Sequence, residues 1–285
     1  MKELEKIIRR RIEGLGGEAS ILVKDADTGE RITINEGKSF HAASIIKLPI
    51  LWEALKQVEE GKRTLQDIVI LQNSDKVGGC GVLPILHEGL ALTLEDLLFL
   101  MTDISDNTAT NMLIDVLGLE NINRRIQSLG MKDTKLARKL MIIIPGVYNY
   151  TCAFDVANIL ERFLKADGLK KIFAEKGLDI LYSQQYNDRL SGELLLCGAC
   201  GFRVGFDNLC SKCGAEISDV DALPIKFAHK TGEIVGTVHD AGIMHIGDRR
   251  IIIVGLTKNL KNNLDGYAFL KKIGLDIYNY YANQS

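Results

Sequence analysis

Apolar residues recur at helical spacing in the opening segment, at Leu4, Ile7, Ile8 and Ile12, and Gly14, Gly16 and Gly17 follow. That pattern predicts an amphipathic helix over Lys2 to Leu15. Ala19 to Asn35 is strand-like on both sides of Asp27-Thr28-Gly29 and reads as a β-hairpin. From Ser44 a helix runs through Lys47, Leu51, Trp52 and Leu55 to about Glu60. Thr64 with Asp67, and Thr93 with Asp96, each place a hydroxyl at an N-cap with an acid three residues on, and so predict two helix starts. The second opens an apolar helix, Leu94 to Ile104. Further helical stretches are Ala109 to Leu117, Glu120 to Leu129, Ala153 to Leu164 and Leu169 to Tyr182. Three strand-like runs come late: Ile225 to Thr231, Val238 to Ile246 and Arg250 to Thr257. Gly247 and Asp248 form the turn between the last two. A helix over Leu264 to Tyr281 closes the chain.

This order predicts an α+β fold, with an antiparallel sheet built from both chain ends and a helical region inserted between them. The sheet part spans about 1–43 and 222–285, and the helical part about 44–190, within a single catalytic domain over 1–285. A chain of 285 residues can bury a sizeable core. Hydrophobic residues make up 46% and charged residues 25%, an ordinary soluble balance. The net charge of -2 gives no reason to expect a nucleic-acid partner. Arg9, Arg10 and Arg11 read as a solvated helix face. Glu3, Glu5 and Glu13 interrupt the one candidate leader, and no apolar run approaches the roughly 18 residues that span a bilayer. The expectation is a cytoplasmic protein, unless a leader has been trimmed.

Ser44-Ile45-Ile46-Lys47 places a hydroxyl and an amine three residues apart at a helix start, on one face. Serine needs a neighbouring base to become a nucleophile, and a lysine serves only if burial or another cation depresses its pKa. Helix N-terminal N–H groups would stabilise a developing oxyanion. Alone the motif is weak, since it arises by chance roughly once in a chain of this size. Ser105-Asp106-Asn107 between two helices and Lys230-Thr231-Gly232 closing a strand change the weighing. All three in order have a chance expectation on the order of one in a thousand. Single members keep bland explanations: Asp106 capping the next helix, Gly232 relieving a tight strand approach.

On these triplets, with Ser105 continuing to Asn111 and His239-Asp240 after the lysine strand, the chain resembles the class A β-lactamase and penicillin-binding-protein family of serine hydrolases over nearly its whole length. The resemblance implies that Ser44 is acylated and Lys47 accepts its proton. Ser105 would relay a proton to the leaving nitrogen, and Asn107 would hold the substrate amide. Lys230 and Thr231, with Gly232 beside them, would bind a substrate carboxylate. The backbone N–H groups of Ser44 and Glu233 would form the oxyanion hole. The substrate class is a small β-lactam, peptide or ester bearing a carboxylate.

One departure matters. The family's loop glutamate, which activates the deacylating water, has no counterpart in Leu136 to Thr151, a stretch without Asp or Glu. Leu140 or Met141 stands in its place. General-base assistance is worth roughly a hundred- to ten-thousand-fold, so acylation looks intact and deacylation slow. The alternatives to β-lactam hydrolysis are a D-alanyl peptidase, penicillin-binding or esterase activity, or a weakly catalytic acylatable sensor. Ile142, Ile143 and Ile144 are expected to pack the loop onto the body.

Cys197-x-x-Cys200 and Cys210-x-x-Cys213 have the spacing of a four-thiolate structural zinc site, so a zinc knuckle over 195–216 is expected, inserted ahead of the Lys230 strand. It reads either as a flap or protein-docking surface beside the cleft, or as a local staple. Cys80 and Cys152 are expected to be buried small apolar residues. The five histidines share no metal spacing. His229 should face away from Lys230, while His41 and His239 could line the cleft.

Overall fold

In the computed structural model, residues 1–197, 199, 203–204, 213–216 and 222–284 are described. Helix α1 (Lys2–Glu13) leads into strands β1 (Glu18–Asp25), β2 (Arg31–Ile34) and the short β3 (Phe40–His41). A 3-10 turn over Ala43–Ile46 runs directly into α2 (Lys47–Glu59). A small ribbon, β4 (Ile68–Ile70) with β5 (Ala91–Thr93), precedes α3 (Leu94–Asp103), α4 (Asn107–Leu117) and α5 (Leu119–Ser128). Then come β6 (Tyr150–Thr151), α6 (Ala153–Lys165) and α7 (Lys171–Tyr182). Strands β7 (Leu195–Cys197), β8 (Arg203–Val204) and β9 (Ala222–Pro224) form a separate three-stranded sheet. Strands β10 (Phe227–Ile234), β11 (Thr237–Ile246) and β12 (Arg249–Lys258) and helix α8 (Asn263–Ala282) complete the chain.

The main sheet has the order β10-β11-β12-β1-β2. Its two chain ends meet where β1 pairs antiparallel with β12, from Glu18 opposite Lys258 to Asp25 opposite Ile251. Both faces are covered, and the period of two sorts the side chains. Ile251 and Ile253 pack on the side of α1 and α8, whereas Ile252 and Val254 pack on the side of the helical region. Trp52 of α2 and Phe163 of α6, 4.7 Å apart edge to face, sit at the centre of that helical core.

The capping chemistry at Thr93 holds: its Oγ1 accepts from the Asp96 N–H, and Asp96 accepts from the Thr93 N–H. The matching pair at Thr64 does not open a helix. Its hydroxyl donates to Asp67 at 2.6 Å, but Ile68-Val69-Ile70 follow and pair as β4 with β5. A β-branched run overrides the cap. Among the described residues no helix is long and apolar enough to cross a membrane.

The structural zinc is corrected. Among the described residues, no group of three or more His, Cys, Asp or Glu side chains could hold a metal ion. Cys197 and Cys213 are free thiols whose sulfurs lie 3.8 Å apart, and Cys200 and Cys210 lie outside the described residues. What organises the described part of the segment is a backbone ladder, with Leu195 and Leu196 of β7 paired to β8 on one side and to β9 on the other. A docking surface premised on a zinc knuckle has no support. Cys152 is buried as expected, whereas Cys80 is exposed.

Candidate active site

Ser44 sits in the 3-10 turn and Lys47 at the first residue of α2. Residues three apart lie on one side of a 3-10 turn, which puts Ser44 and Lys47 on the same side of the helix start. Lys47 is almost fully buried, and burial pushes its pKa down to about 7. Its ammonium donates to the Ser105 carbonyl oxygen at 2.6 Å, to Ser105 Oγ at 2.9 Å and to Asn107 Oδ1 at 3.1 Å.

Ser105 lies in the link between α3 and α4 with φ at 57°, a left-handed backbone rare for serine. Asp106 keeps that link in place. Its carboxylate, wholly buried, caps α4 by accepting from the Ala109 N–H and also accepts from the Val82 and Leu83 N–H groups. The N–H of Asn107 donates to the Cys80 carbonyl, and its side-chain amide donates to Gly78 O. Thus the loop carrying Cys80 and the Ser105 turn are fixed to each other.

Strand β10 is the sheet edge nearest the 3-10 turn. A Cβ on Gly232 would lie 3.2 Å from the Ser44 nitrogen and 3.2 Å from Ile45 Cγ1, so the absent side chain is what permits the close approach. Lys230 is buried and donates to Thr231 O at 3.0 Å. Burial first, then the charges of Lys47 and Arg189, hold its pKa well below the ordinary lysine value. Lys47 is thus depressed by burial, whereas Lys230 also feels neighbouring cations. On the opposite face, as the strand period requires, His229 Nδ1 meets Asp240 Oδ1 at 2.7 Å and its Nε2 meets Asn187 Oδ1 at 3.1 Å.

A cleft of about 260 Å³ is lined by Ser44, Ser105, Thr231, Gly232 and Glu233, together with Cys80, Tyr186, Asp188, Arg189 and Tyr267. Lys230, fully buried, is not among these residues. His239 is buried rather than lining it: one ring nitrogen contacts His41 O at 2.8 Å, the other accepts from the Thr257 N–H, and burial lowers its pKa to about 4. Arg189, Asp188 and Tyr267 carry no motif spacing, and only their tertiary placement brings them to the cleft.

On the other flank, Asn111 of α4 clamps the loop by accepting from the Leu140 N–H at 2.8 Å and donating to Leu140 O at 3.0 Å. Leu140 is the residue held there, and Met141 reaches toward Gly79 near Asn107. The isoleucines do not pack the loop down. Ile142 and Ile144 are each 44% exposed and Ile143 is 86% exposed. Polar contacts hold the loop instead: the buried Asn149 side chain accepts from the Ala137 and Arg138 N–H groups and donates to Arg138 O.

A family model described as the beta-lactamase enzyme family matches residues 3–281. The chain is 23% identical over 289 residues to β-lactamase PSE-1 of Pseudomonas aeruginosa, covering all of this chain and 92% of that protein. A β-lactamase from Sphaerobacter thermophilus superposes with a TM-score of 0.82 at 29% identity, over 96% of this chain and 95% of that one. PBP-A superposes with a TM-score of 0.82 at 25% identity, over 99% and 97% respectively.

Proposed function

The chain belongs to the β-lactamase enzyme family and is a class A-like serine hydrolase, and from that premise we propose that it forms an acyl-enzyme at Ser44 with β-lactams and releases it slowly. The observation that carries this reading is the Lys47 amine, buried at the start of α2 three residues after Ser44, with its pKa at about 7 and in contact with Ser105 Oγ. Near neutral pH about half of such amines are free bases, able to take the Ser44 proton. Ser105 then stands next in line to pass a proton to the leaving nitrogen. This reading assigns the N–H groups of Ser44 and Glu233 to the carbonyl oxygen that would gain charge.

Slow release follows from the loop. The position that Asn111 clamps is a leucine, and Leu136 to Thr151 contains no carboxylate to activate water. That favours a penicillin-binding behaviour over efficient hydrolysis. Intact-protein mass spectrometry after mixing with a penicillin and a cephalosporin, beside Ser44→Ala, tests it. An adduct that appears on the wild type and persists is expected. Rapid clearance would refute slow release, and no adduct from folded protein would refute the β-lactam reading.

A further inference from the structure

Resting on the acyl-transfer reading, we infer that His229 is a positioning residue: with Asp240 and Asn187 it fixes segment 187–190, and so sets where Arg189 stands in the cleft.

Segment 187–190 belongs to no helix or strand, so no backbone ladder holds it. Side chains of the neighbouring strands hold it instead. His229 and Glu233 lie four residues apart in β10 and therefore share a face. The first meets Asn187, Nε2 to Oδ1 at 3.1 Å, and the second accepts from Arg189 at 3.0 Å. Between them Asp240 stands opposite Thr231 in the β10–β11 register, and its Oδ2 accepts from the Leu190 N–H at 3.1 Å. The other Asp240 oxygen meets His229 Nδ1 at 2.7 Å. One side-chain pair thus holds both Asn187 and Leu190, the residues that flank Asp188 and Arg189. Both members of the pair are fully buried. A buried carboxylate needs its donors, because removing one leaves charge uncompensated away from water.

Where Arg189 stands matters because it carries charge into the cleft wall. Its side chain is only 5% exposed and lines the cleft with Thr231. A guanidinium keeps its charge throughout the working pH range. Asp188 and Glu233 face it as carboxylates, yet its Nε has no hydrogen-bond partner among the described residues. Lys230 feels the Arg189 charge, so the two cations are neighbours. Together they act on an anionic group of a substrate entering beside Thr231. At such short range the interaction depends steeply on where each charge sits.

The test uses penicillin G and its methyl ester, which differ by one negative charge. Rates of Ser44 adduct formation are measured for both by intact-protein mass spectrometry, and the acid-to-ester ratio is the readout. A merely loosened fold would slow both alike. Arg189→Ala should lower the ratio about ten-fold. His229→Asn, whose shorter amide still reaches Asp240 but not Asn187, should lower it roughly three-fold, as should Asn187→Ala, which leaves the buried pair intact; the double variant should go no further than either single one. In the Arg189→Ala background His229→Asn should leave the ratio unchanged. A wild-type ratio in both single variants, or an effect of His229→Asn that persists without Arg189, would overturn the inference. Absence of any Ser44 adduct on the wild type would instead sink the acyl-enzyme reading. The positioning would then be decided by nitrogen-15 NMR of the arginine side chains. The Arg189 Nε–H signal, identified by its loss in Arg189→Ala, should shift in His229→Asn and in Asn187→Ala, and an unmoved signal would overturn the inference.

Discussion

Lys47 Nζ donates to both oxygens that Ser105 offers, the hydroxyl at 2.9 Å and the carbonyl at 2.6 Å. One buried amine thereby holds the proposed relay residue in its left-handed backbone and shares a hydrogen bond with its hydroxyl. Protonated, the amine is only a donor; unprotonated, it can accept. With its pKa lowered to about 7, the accepting form is scarce below that pH and predominates above it. Acylation of Ser44 should therefore rise as pH increases through about 7 and then level off. Stopped-flow or quench measurements of adduct formation between pH 5 and 9 check this. A profile flat through neutrality would remove Lys47 as the base.

Asp106 is a structural residue whose effect reaches the site. Its buried carboxylate satisfies three backbone N–H groups, at Val82, Leu83 and Ala109. Asp106→Ala leaves them unpaired and should cost about 3 kcal/mol, lowering Tm by roughly 6–12 °C. A thermal melt reads the loss. A Tm within 2 °C or so of wild type would mean that water replaces the carboxylate without cost.

Much of this was legible in the sequence, for reasons particular to each element. The pairing of β1 with β12 follows from apolar strands at the two chain ends, and the Thr93 box reports a real cap because an apolar helical stretch follows it. The three triplets meet in space because a helix start, an interhelical turn and an edge strand are all short-range signals. What the sequence hid depends on tertiary placement or on competition between local preferences. Ile68 to Ile70 overrule the cap at Thr64. Ile142 to Ile144 are exposed because Asn149 and Asn111 supply the polar clamps that hold the loop. The cysteine spacing matches a metal motif, yet in the described residues only two thiols meet and β-pairing organises the segment. Arg189 reaches the cleft through a bend after α7 that no periodicity announces.

Gly232 carries no side chain where strand β10 touches the Ser44 turn. An added methyl would meet the Ser44 and Ile45 backbone nitrogens at 3.2 and 3.3 Å, atoms that cannot rotate aside. Gly232→Ala should shift the strand by a few tenths of an ångström and spoil the alignment of the two N–H donors. Adduct formation is expected to fall about ten- to a hundred-fold, with the fold retained by circular dichroism. An unchanged rate would show that the close approach serves packing alone.

Leu140 is the place where one substitution should change the outcome of the reaction rather than its first step. Asn111 pins the Leu140 backbone through two hydrogen bonds, and Asn107 lies one helical turn away on the same helix. The loop position is thus already set relative to the amide-binding residue, and only the side chain lacks a base. Leu140→Glu supplies a carboxylate at that point, at a stability cost of about 1–3 kcal/mol for the partly buried site. If the carboxylate engages water against the ester, adduct lifetime should shorten a hundred- to ten-thousand-fold. Acylation should stay within a few-fold of wild type, because Lys47 and Ser105 are untouched. Leu140→Gln, equally polar but without the base, should leave the lifetime long. Time-resolved intact mass spectrometry of both variants decides the matter: equal lifetimes would place the defect in deacylation elsewhere than at this side chain.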